Sequence, residues 1–298
     1  MKNVYWIICC IPFSLLILVS CEHDVINPDL VEKYRHIRVI DIHNHDASAK
    51  KYRKSMKIWD AYGIDKIVLF GDAAEPSAME TDEIAWEAYE KYPDRIYPFF
   101  SGINIHDQQC TAYAVAKFEK GYFGAGEIIA ASANSPVVSG LPWKGDHPMD
   151  DYLPDIYALC GEYGAPILLH IDPPYGTVIT RLKEALDSFP NTNFIFAHAN
   201  AFNPAHNIRS LLIEHDNLYI DFFAGFTRYN PGSNNTLEDF VPLINEYPGK
   251  FMVSTDSGFD VGYDNAYSAI YELFELLDPE VIEQIAHLNF EKLIENLN

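Results

Sequence analysis

One stretch of the sequence decides how the chain is interpreted: Val39-Ile40-Asp41-Ile42-His43-Asn44-His45-Asp46. It begins as a β-branched run, which is typical of a buried strand, and it ends in two histidines one residue apart. Side chains two positions apart on a strand point to the same face, so His43 and His45 project together, with Asp41 deeper on that face. Two neutral imidazoles side by side suit a divalent transition metal. The H-x-H spacing also arises by chance, so its weight depends on the rest of the chain.

Further apolar runs follow this stretch, and helical patterns separate them. The predicted strands cover residues 39–46, 65–70, 96–103, 123–129, 166–172, 193–200, 218–223 and 251–256. The predicted helices cover residues 48–62, 81–92, 109–120, 150–163, 177–189, 204–215, 237–247 and 266–277. This alternation predicts the α/β class and a parallel (β/α)8 TIM barrel. An open doubly wound sheet is the alternative, but no G-x-G-x-x-G follows the first strand. Because no repeat or composition break divides the body, we expect residues 39–298 to form one domain.

The composition restricts the partners of the chain. Its 298 residues are 48% hydrophobic, which is enough for one large core. The 43 acidic and 21 basic residues leave a formal net charge of −22, whereas nucleic-acid binding needs a basic surface. An anionic substrate would need local cations or a metal to offset this field. We expect a small-molecule substrate and no nucleic acid, and the sequence leaves a homo-oligomer open.

Residues 1–21 predict a bacterial lipoprotein signal peptide. Lys2 precedes an apolar run over residues 4–19, and Leu18-Val19-Ser20-Cys21 resembles a lipobox in which Cys21 is lipidated. An uncleaved membrane anchor is the alternative, although the run is short and contains Pro12. Either interpretation places the body in the cell envelope, outside the cytoplasm, on the periplasmic or the surface side. Residues 22–38 predict a polar linker followed by a short helix, so only the anchor would contact the membrane.

The remaining cysteines, Cys110 and Cys160, fall in predicted helices without C-x-x-C spacing. A disulfide framework or a thiol metal site is therefore not expected. We expect both to be buried, small apolar residues.

Several histidines and carboxylates fall near the C-terminal ends of the predicted strands. They are His43, His45, Glu127, His170, His198 and Asp256. In a parallel barrel these strand ends converge on one mouth, where the active sites of this fold lie. The sequence therefore predicts that these residues form one cluster, and a cluster drawn from distant parts of the chain is a sharper signal than any single residue.

The motifs around these residues identify a resemblance. H-N-H on the first strand, L-L-H on the fifth, A-H-A-N on the sixth and S-T-D on the eighth resemble the metal-dependent amidohydrolase superfamily over residues 39–297. The chain is most similar to the subgroup that contains aminocarboxymuconate-semialdehyde decarboxylase. The resemblance implies that the H-x-H pair, His170 and Asp256 bind a metal, and that His198 is a further ligand or a catalytic side chain.

The fourth strand departs from the binuclear relatives, which often carry a carboxylated lysine there. The G-E-I around Glu127 instead resembles the metal-bridging glutamate of TatD-like hydrolases, which favours two ions over one. A structural role as a buried pair partner is the alternative for Glu127. Zinc is the expected metal, and manganese and iron are compatible with the same ligands.

The chemistry of such a centre fits hydrolysis. A metal with an open position can lower the pKa of a bound water to about 7, and Asp256 could accept its proton and return it to a leaving group. His198 would bind a second metal or donate a hydrogen bond to the substrate. Asp41 could orient a ligand imidazole, and a structural role is the alternative for it.

We therefore predict a metal-dependent hydrolase of a small molecule with an amide, lactone or related carboxyl-derived bond. A nonoxidative decarboxylase with one metal is the alternative, a non-catalytic binding lipoprotein is the third hypothesis, and a phosphodiesterase is a weaker option.

Loops after the strands would determine specificity. The candidates to line the pocket are Trp143, Lys144, Tyr175 and Phe202. Arg228 could clamp a substrate carboxylate through two hydrogen bonds. An exposed loop arginine without such a role is the alternative for Arg228. A basic group after the first strand is expected on a solvated helix face: Lys50, Lys51, Arg53 and Lys54.

Overall fold

The computed structural model describes residues 25–297. Its strands are β1 (Ile40–Asn44), β2 (Lys66–Leu69), β3 (Ile96–Phe100), β4 (Gly124–Ala131), β5 (Ile167–Ile171), β6 (Phe194–Phe196), β7 (Leu218–Phe222) and β8 (Phe251–Val253). All eight pair in parallel with their sequence neighbours, in the order β1 to β8. The predicted TIM barrel is confirmed, and each predicted strand overlaps an observed one.

Helices alternate with the strands along the chain. They are α1 (Pro28–Lys33), α2 (Tyr52–Tyr62), α3 (Ser77–Lys91), α4 (Gln109–Lys120), α5 (Leu153–Tyr163), α6 (Thr177–Ser188), α7 (Ala205–Glu214), α8 (Ala224–Tyr229), α9 (Leu237–Glu246), α10 (Tyr263–Phe274), α11 (Pro279–Glu283) and α12 (Asn289–Ile294). Helix α3 begins at Ser77, four residues before the predicted start of this helix at Thr81. Thr81 is not an N-cap, because its hydroxyl lies inside the helix and accepts the backbone N–H of Asp72 at 2.9 Å.

The seam between β8 and β1 is closed through Asp41. Its carboxylate accepts the Thr255 N–H at 3.0 Å, the Thr255 hydroxyl at 2.6 Å and the hydroxyl of Tyr267 on α10 at 2.9 Å. These bonds give Asp41 the structural role that was one of its two predicted alternatives, and its carboxylate contacts the backbone N–H of His43 but no imidazole. The pairing register of β1 shifts between Asp41 and Asn44, and such a local irregularity turns the following side chains relative to the preceding ones.

The opposite end of the barrel is closed by α12. Its Phe290, Leu293 and Ile294 belong to the same buried cluster as inward-facing strand residues. The Asn289 side-chain amide donates to the carbonyl of Phe251 at 2.7 Å, and Phe251 is the first residue of β8. The apolar plug therefore lies at the N-terminal ends of the strands, away from the functional mouth.

Part of the predicted lead-in packs on the barrel. Val31 of α1 is buried, and the Tyr34 ring lies 5.5 Å from the Phe274 ring of α10, centroid to centroid. Within residues 25–297 no helix combines the length and apolar character needed to cross a membrane. The predicted signal peptide and Cys21 lie outside the described residues.

The two predicted core cysteines are buried, as expected, and both are free thiols. Cys110 lies in α4 and Cys160 in α5. Burial raises the pKa of the Cys110 thiol to about 11 and also raises the pKa of Cys160, so neither is disposed to act as a thiolate ligand.

Candidate metal centre

The first cluster consists of His43, His45 and Asp256, whose potential ligand atoms lie within 4.8 Å of one another. The Nε2 atoms of His43 and His45 are 3.1 Å apart. The Asp256 Oδ1 atom lies 3.4 Å from His43 Nε2 and 3.5 Å from His45 Nε2. These three side chains therefore converge on one point at the mouth of the barrel.

The other ring nitrogens of the two histidines have acceptors. His43 Nδ1 lies 2.6 Å from Asp221 Oδ2, and His45 Nδ1 lies 2.6 Å from the carbonyl oxygen of Gly71. Both partners accept hydrogen bonds, so in the neutral form of each ring Nδ1 carries the proton and Nε2 keeps a lone pair for a metal. Two imidazole lone pairs and a carboxylate that face one another repel unless a cation lies between them. The donor set thus fits a divalent metal ion.

The second cluster consists of Glu127, His170 and His198. Glu127 Oε1 lies 3.2 Å from His170 Nδ1 and 3.1 Å from His198 Nε2. The opposite ring nitrogen of His170, Nε2, lies 2.8 Å from Asp172 Oδ2. Because Asp172 accepts the proton-bearing side of the ring, the Nδ1 lone pair of His170 is directed towards Glu127 and can bind a metal.

Glu127 belongs to the second cluster and also borders the first. Its Oε2 atom is 3.5 Å from His45 Nε2, and its Oε1 atom is 3.8 Å from His43 Nε2. A carboxylate that borders both clusters has the position of a bridging ligand. Gly126 allows this approach, since a Cβ built there would lie 2.6 Å from the Cβ of Leu168 on β5, and its φ of +137° disfavours other residues.

The charges at the site stabilise a cation. Burial lowers the pKa of His43, but the carboxylates of Asp256 and Asp221 outweigh it and raise this pKa to about 10. Burial likewise opposes charge on His170, yet Asp172 and Glu127 raise its pKa to about 9. The buried carboxylates therefore create a field that favours positive charge between them, whether carried by protons or by a metal.

Asp256 follows β8 on a turn that the surrounding structure holds. Asp256 and Ser257 both have left-handed backbone conformations, with φ of 46° and 52°. Such residues cost roughly 1–3 kcal/mol each and persist only where other contacts determine them. Here the Ser257 hydroxyl accepts the His45 N–H at 2.7 Å, and Asp41 holds the preceding Thr255. The turn therefore keeps Asp256 against the H-x-H pair.

A cavity of about 620 Å³ opens above both clusters. Its apolar wall includes five phenylalanines: Phe196, Phe202, Phe223, Phe226 and Phe259. Among the described residues that line it, Lys51 is the only lysine or arginine. The cavity has the size of a small-molecule site, with a polar floor and a mostly apolar wall.

The structure corrects four placements made from the sequence. Trp143 packs in a small apolar cluster with Ala74 and does not line the cavity. Tyr175 is 65% exposed and lies outside the lining, and the Arg228 Nε atom is 2.7 Å from Glu272 Oε2, also outside it. Lys144 also lies outside the lining, and its Nζ atom is 3.2 Å from Asp146 Oδ1. Lys51 is exposed, as expected, and it also borders the cavity, because the chain after β1 makes a turn at Ser48–Lys50 before α2 begins.

The other placements agree with the structure. The histidines and carboxylates predicted to form one cluster do meet at the mouth, and Phe202 lines the cavity as expected. Asp256 and His198 lie just beyond β8 and β6, since both strands end earlier than predicted.

Sequence reasoning missed Asp221 and Asp172. Asp221 is fully buried, bonds His43 Nδ1 and accepts the backbone N–H of His198 at 3.0 Å. Its signal was an acidic residue inside the apolar run L-Y-I-D-F-F. Asp172 follows His170 by two residues, at the end of an apolar strand. A carboxylate in such a strand needs a buried partner, and this could have directed attention to both residues.

Comparison with known proteins identifies the family and supports the fold. A family model described as amidohydrolase matches residues 40–294. No curated protein is a significant match.

Among solved structures, the chain is similar to an uncharacterized TIM-barrel protein from Bordetella bronchiseptica, with 16% identity, 88% of this chain and 99% of that chain covered, and a TM-score of 0.65. It is similar to a dihydroxybenzoic acid decarboxylase from Polaromonas sp. JS666 with bound manganese. The identity is 15%, the alignment covers 88% of this chain and 99% of the decarboxylase, and the TM-score is 0.55. It also resembles a proposed amidohydrolase from Staphylococcus aureus. The identity is 14%, the alignment covers 87% of this chain and 100% of that protein, and the TM-score is 0.59. At these identities the likenesses show the fold.

Proposed function

The chain belongs to the amidohydrolase family, and on that premise we propose that it is a metal-dependent hydrolase of a small molecule with an amide, lactone or related carboxyl-derived bond. The observation that carries the proposal is the position of Glu127, which borders both ligand clusters. A carboxylate between two sets of imidazoles supports a binuclear centre.

His43, His45 and Asp256 would hold one divalent ion, and His170 and His198 a second, with Glu127 between them. Zinc suits imidazole and carboxylate ligands, as do manganese and iron. The bound manganese of the Polaromonas decarboxylase is consistent with this range. When bound, such ions lower the pKa of a water molecule and polarise a carbonyl.

The residues of the chain supply the remaining functions. Asp256 lies at the cavity wall, where its carboxylate would accept a proton from the attacking water and return it to the leaving group. Glu127 and His170 are buried and would hold the floor of the site in place. The phenylalanine wall would bind the apolar part of the substrate and exclude water, and Lys51 would bind an anionic substituent.

A nonoxidative decarboxylase is the second candidate. The fold similarity to the dihydroxybenzoic acid decarboxylase supports it, and the same clusters could bind the carboxylate of such a substrate. The position of Glu127 between two clusters favours the hydrolase, since the decarboxylase hypothesis requires only one ion.

The test is a panel of amides, lactones and aromatic carboxylates, incubated with zinc- or manganese-loaded protein and with the variant Asp256→Asn. We expect hydrolysis of an amide or lactone, loss of turnover in the variant, and no change in its far-ultraviolet circular dichroism. Release of carbon dioxide from a carboxylate, with no hydrolysis across the panel, would replace the hydrolase by the decarboxylase.

We also propose that the protein is a lipoprotein of the bacterial cell envelope, exposed outside the cytoplasm. The lipobox ending in Cys21 supports this. Metabolic labelling with a palmitate analogue should modify the wild type and not Cys21→Ser. Equal labelling of both would contradict it.

A further inference from the structure

Asp172 lies between the second ligand cluster and the loop that follows β4. Its Oδ2 atom is 2.8 Å from His170 Nε2 and accepts the Ser132 hydroxyl at 2.5 Å. Its Oδ1 atom accepts the backbone N–H groups of Ala133 at 2.9 Å and Asn134 at 2.7 Å. The residue is 4% exposed, so water does not readily replace these bonds.

The loop held by these bonds forms one side of the cavity. Val137, Val138 and Leu141 line it, and Val137 is 57% exposed at the rim. Between residues 135 and 142 the hydrogen bonds found in the described chain join the segment only to itself. The next attachment to the barrel is the Trp143 N–H, which donates to the Ala74 carbonyl at 2.9 Å. The Asp172 carboxylate is therefore the anchor at the start of this segment.

All hydrogen-bonding positions of the Asp172 carboxylate are in use. A carboxylate offers about four acceptor positions, and His170, Ser132, Ala133 and Asn134 occupy them. No position is left for a metal or for a proton in transfer. This distinguishes Asp172 from Asp256.

We propose that Asp172 is a positioning residue that couples metal binding at His170 to the conformation of the loop over the cavity. The proposal rests on the metal-binding part of the proposed function. An ion bound to His170 Nδ1 would fix the ring, the ring would fix the carboxylate, and the carboxylate would fix the amides of Ala133 and Asn134. Because linkage is reciprocal, the ordered loop would strengthen metal binding by the same free energy.

The test is amide hydrogen exchange, followed by mass spectrometry, on the purified full-length protein with and without zinc chloride. In the wild type, zinc should slow exchange at residues 133 and 134 by about tenfold, because couplings between two linked sites are typically about 5–150-fold and act equally on both sites. Exchange in α4, on the outside of the barrel, serves as the internal reference. This part of the test requires no variant and so does not depend on whether a variant folds.

Two substitutions separate the roles of the carboxylate. In Asp172→Asn the remaining oxygen still accepts the two loop amides, but the new NH2 group donates to His170 Nε2 and moves the ring proton to Nδ1. Zinc affinity should fall by roughly 10–100-fold and zinc should no longer slow loop exchange, while exchange without zinc stays near the wild-type rate. In Asp172→Ala exchange at residues 133 and 134 should be fast with and without zinc.

The matched control is Asp146→Asn. Asp146 is an exposed residue of the same loop, and within residues 25–297 its carboxylate pairs only with Lys144, at the surface. It should match the wild type in both measurements. Zinc binding by the wild type without any change at residues 133 and 134, or wild-type zinc affinity in Asp172→Asn, would overturn the coupling and leave the proposed function intact. No zinc binding by the wild type would overturn both.

Discussion

Replacing Asp221 by asparagine should weaken metal binding without unfolding the barrel. Asp221 is fully buried on β7, and its Oδ2 atom lies 2.6 Å from His43 Nδ1 and accepts the His198 N–H at 3.0 Å. Its Oδ1 atom has no protein partner within the described residues. An asparagine of nearly equal size can fill this place in two orientations, and both carry a penalty.

In one orientation the amide NH2 donates to His43 Nδ1, and the ring proton moves to Nε2, the nitrogen that faces His45 and Asp256. In the other orientation the amide oxygen keeps the hydrogen bonds to His43 Nδ1 and the His198 N–H. The NH2 group is then buried without a partner, which costs about 1–3 kcal/mol of stability. Groups that orient a ligand histidine typically account for 10–100-fold in metal affinity, or about 1.4–2.7 kcal/mol. The short, fully buried bond here leads us to expect the upper half of that range.

The assay is competition between the protein and a chromophoric chelator for zinc. Asp216→Asn is the matched control, since Asp216 is exposed and precedes the same strand at the opposite end of the barrel. The control should bind zinc as the wild type does. Affinity within twofold of the wild type in Asp221→Asn, with a folded protein, would refute the assignment of the proton to His43 Nδ1.

Three further predictions concern other parts of the molecule. Lys51→Met should raise KM about tenfold or more for a carboxylate-bearing substrate identified in the panel, because a hydrogen bond to a charged group contributes about 1.5–3 kcal/mol, and it should leave a neutral analogue unaffected; equal effects on both would contradict its role at the cavity. Burial raises the pKa of Asp82 to about 6, against the opposing bond from Tyr113, so the folded state binds this proton more tightly than the unfolded chain. As the pH falls from about 6 to about 4, this proton should add up to ~3 kcal/mol to the free energy of unfolding of the wild type relative to Asp82→Asn, as measured by urea unfolding. Free energies of unfolding that change with pH in parallel in the two proteins would contradict this. Trp59→Ala should lower the free energy of unfolding by roughly 3–5 kcal/mol, since Trp59 is fully buried between α2 and the barrel, whereas a loss below about 1 kcal/mol would show that the site collapses around the cavity.

The barrel could be predicted from the sequence because its strands are nearly continuous apolar runs. Both faces of such strands are buried, and helices with an apolar stripe separate them, so the alternation is visible in the pattern alone. The ligand clusters were predictable for a related reason. Histidines and carboxylates at the ends of apolar strands are costly to bury unless they have a partner or a ligand, and the barrel brings those ends to one mouth.

The residues that orient the ligands were not found in this way. Asp221 and Asp172 depend on which ring nitrogen each histidine presents, and this is a property of the packed site. Asp41 does not orient an imidazole, because a local register shift in β1 changes which side chains share a face. The cavity wall was also beyond the sequence. Arg228, expected in a loop, lies in α8 and pairs with Glu272, and the turn at Ser48–Lys50 brings Lys51 to the opening of the cavity.

The metal content of the purified protein tests the central claim most directly. Elemental analysis of protein prepared without chelator should find about two divalent ions per chain, falling towards one in Glu127→Ala, as expected for a carboxylate between two ligand clusters. One ion per chain in both proteins would contradict the binuclear centre and favour the decarboxylase. No tightly bound metal, even after zinc or manganese is added back, would contradict the metal-dependent function altogether.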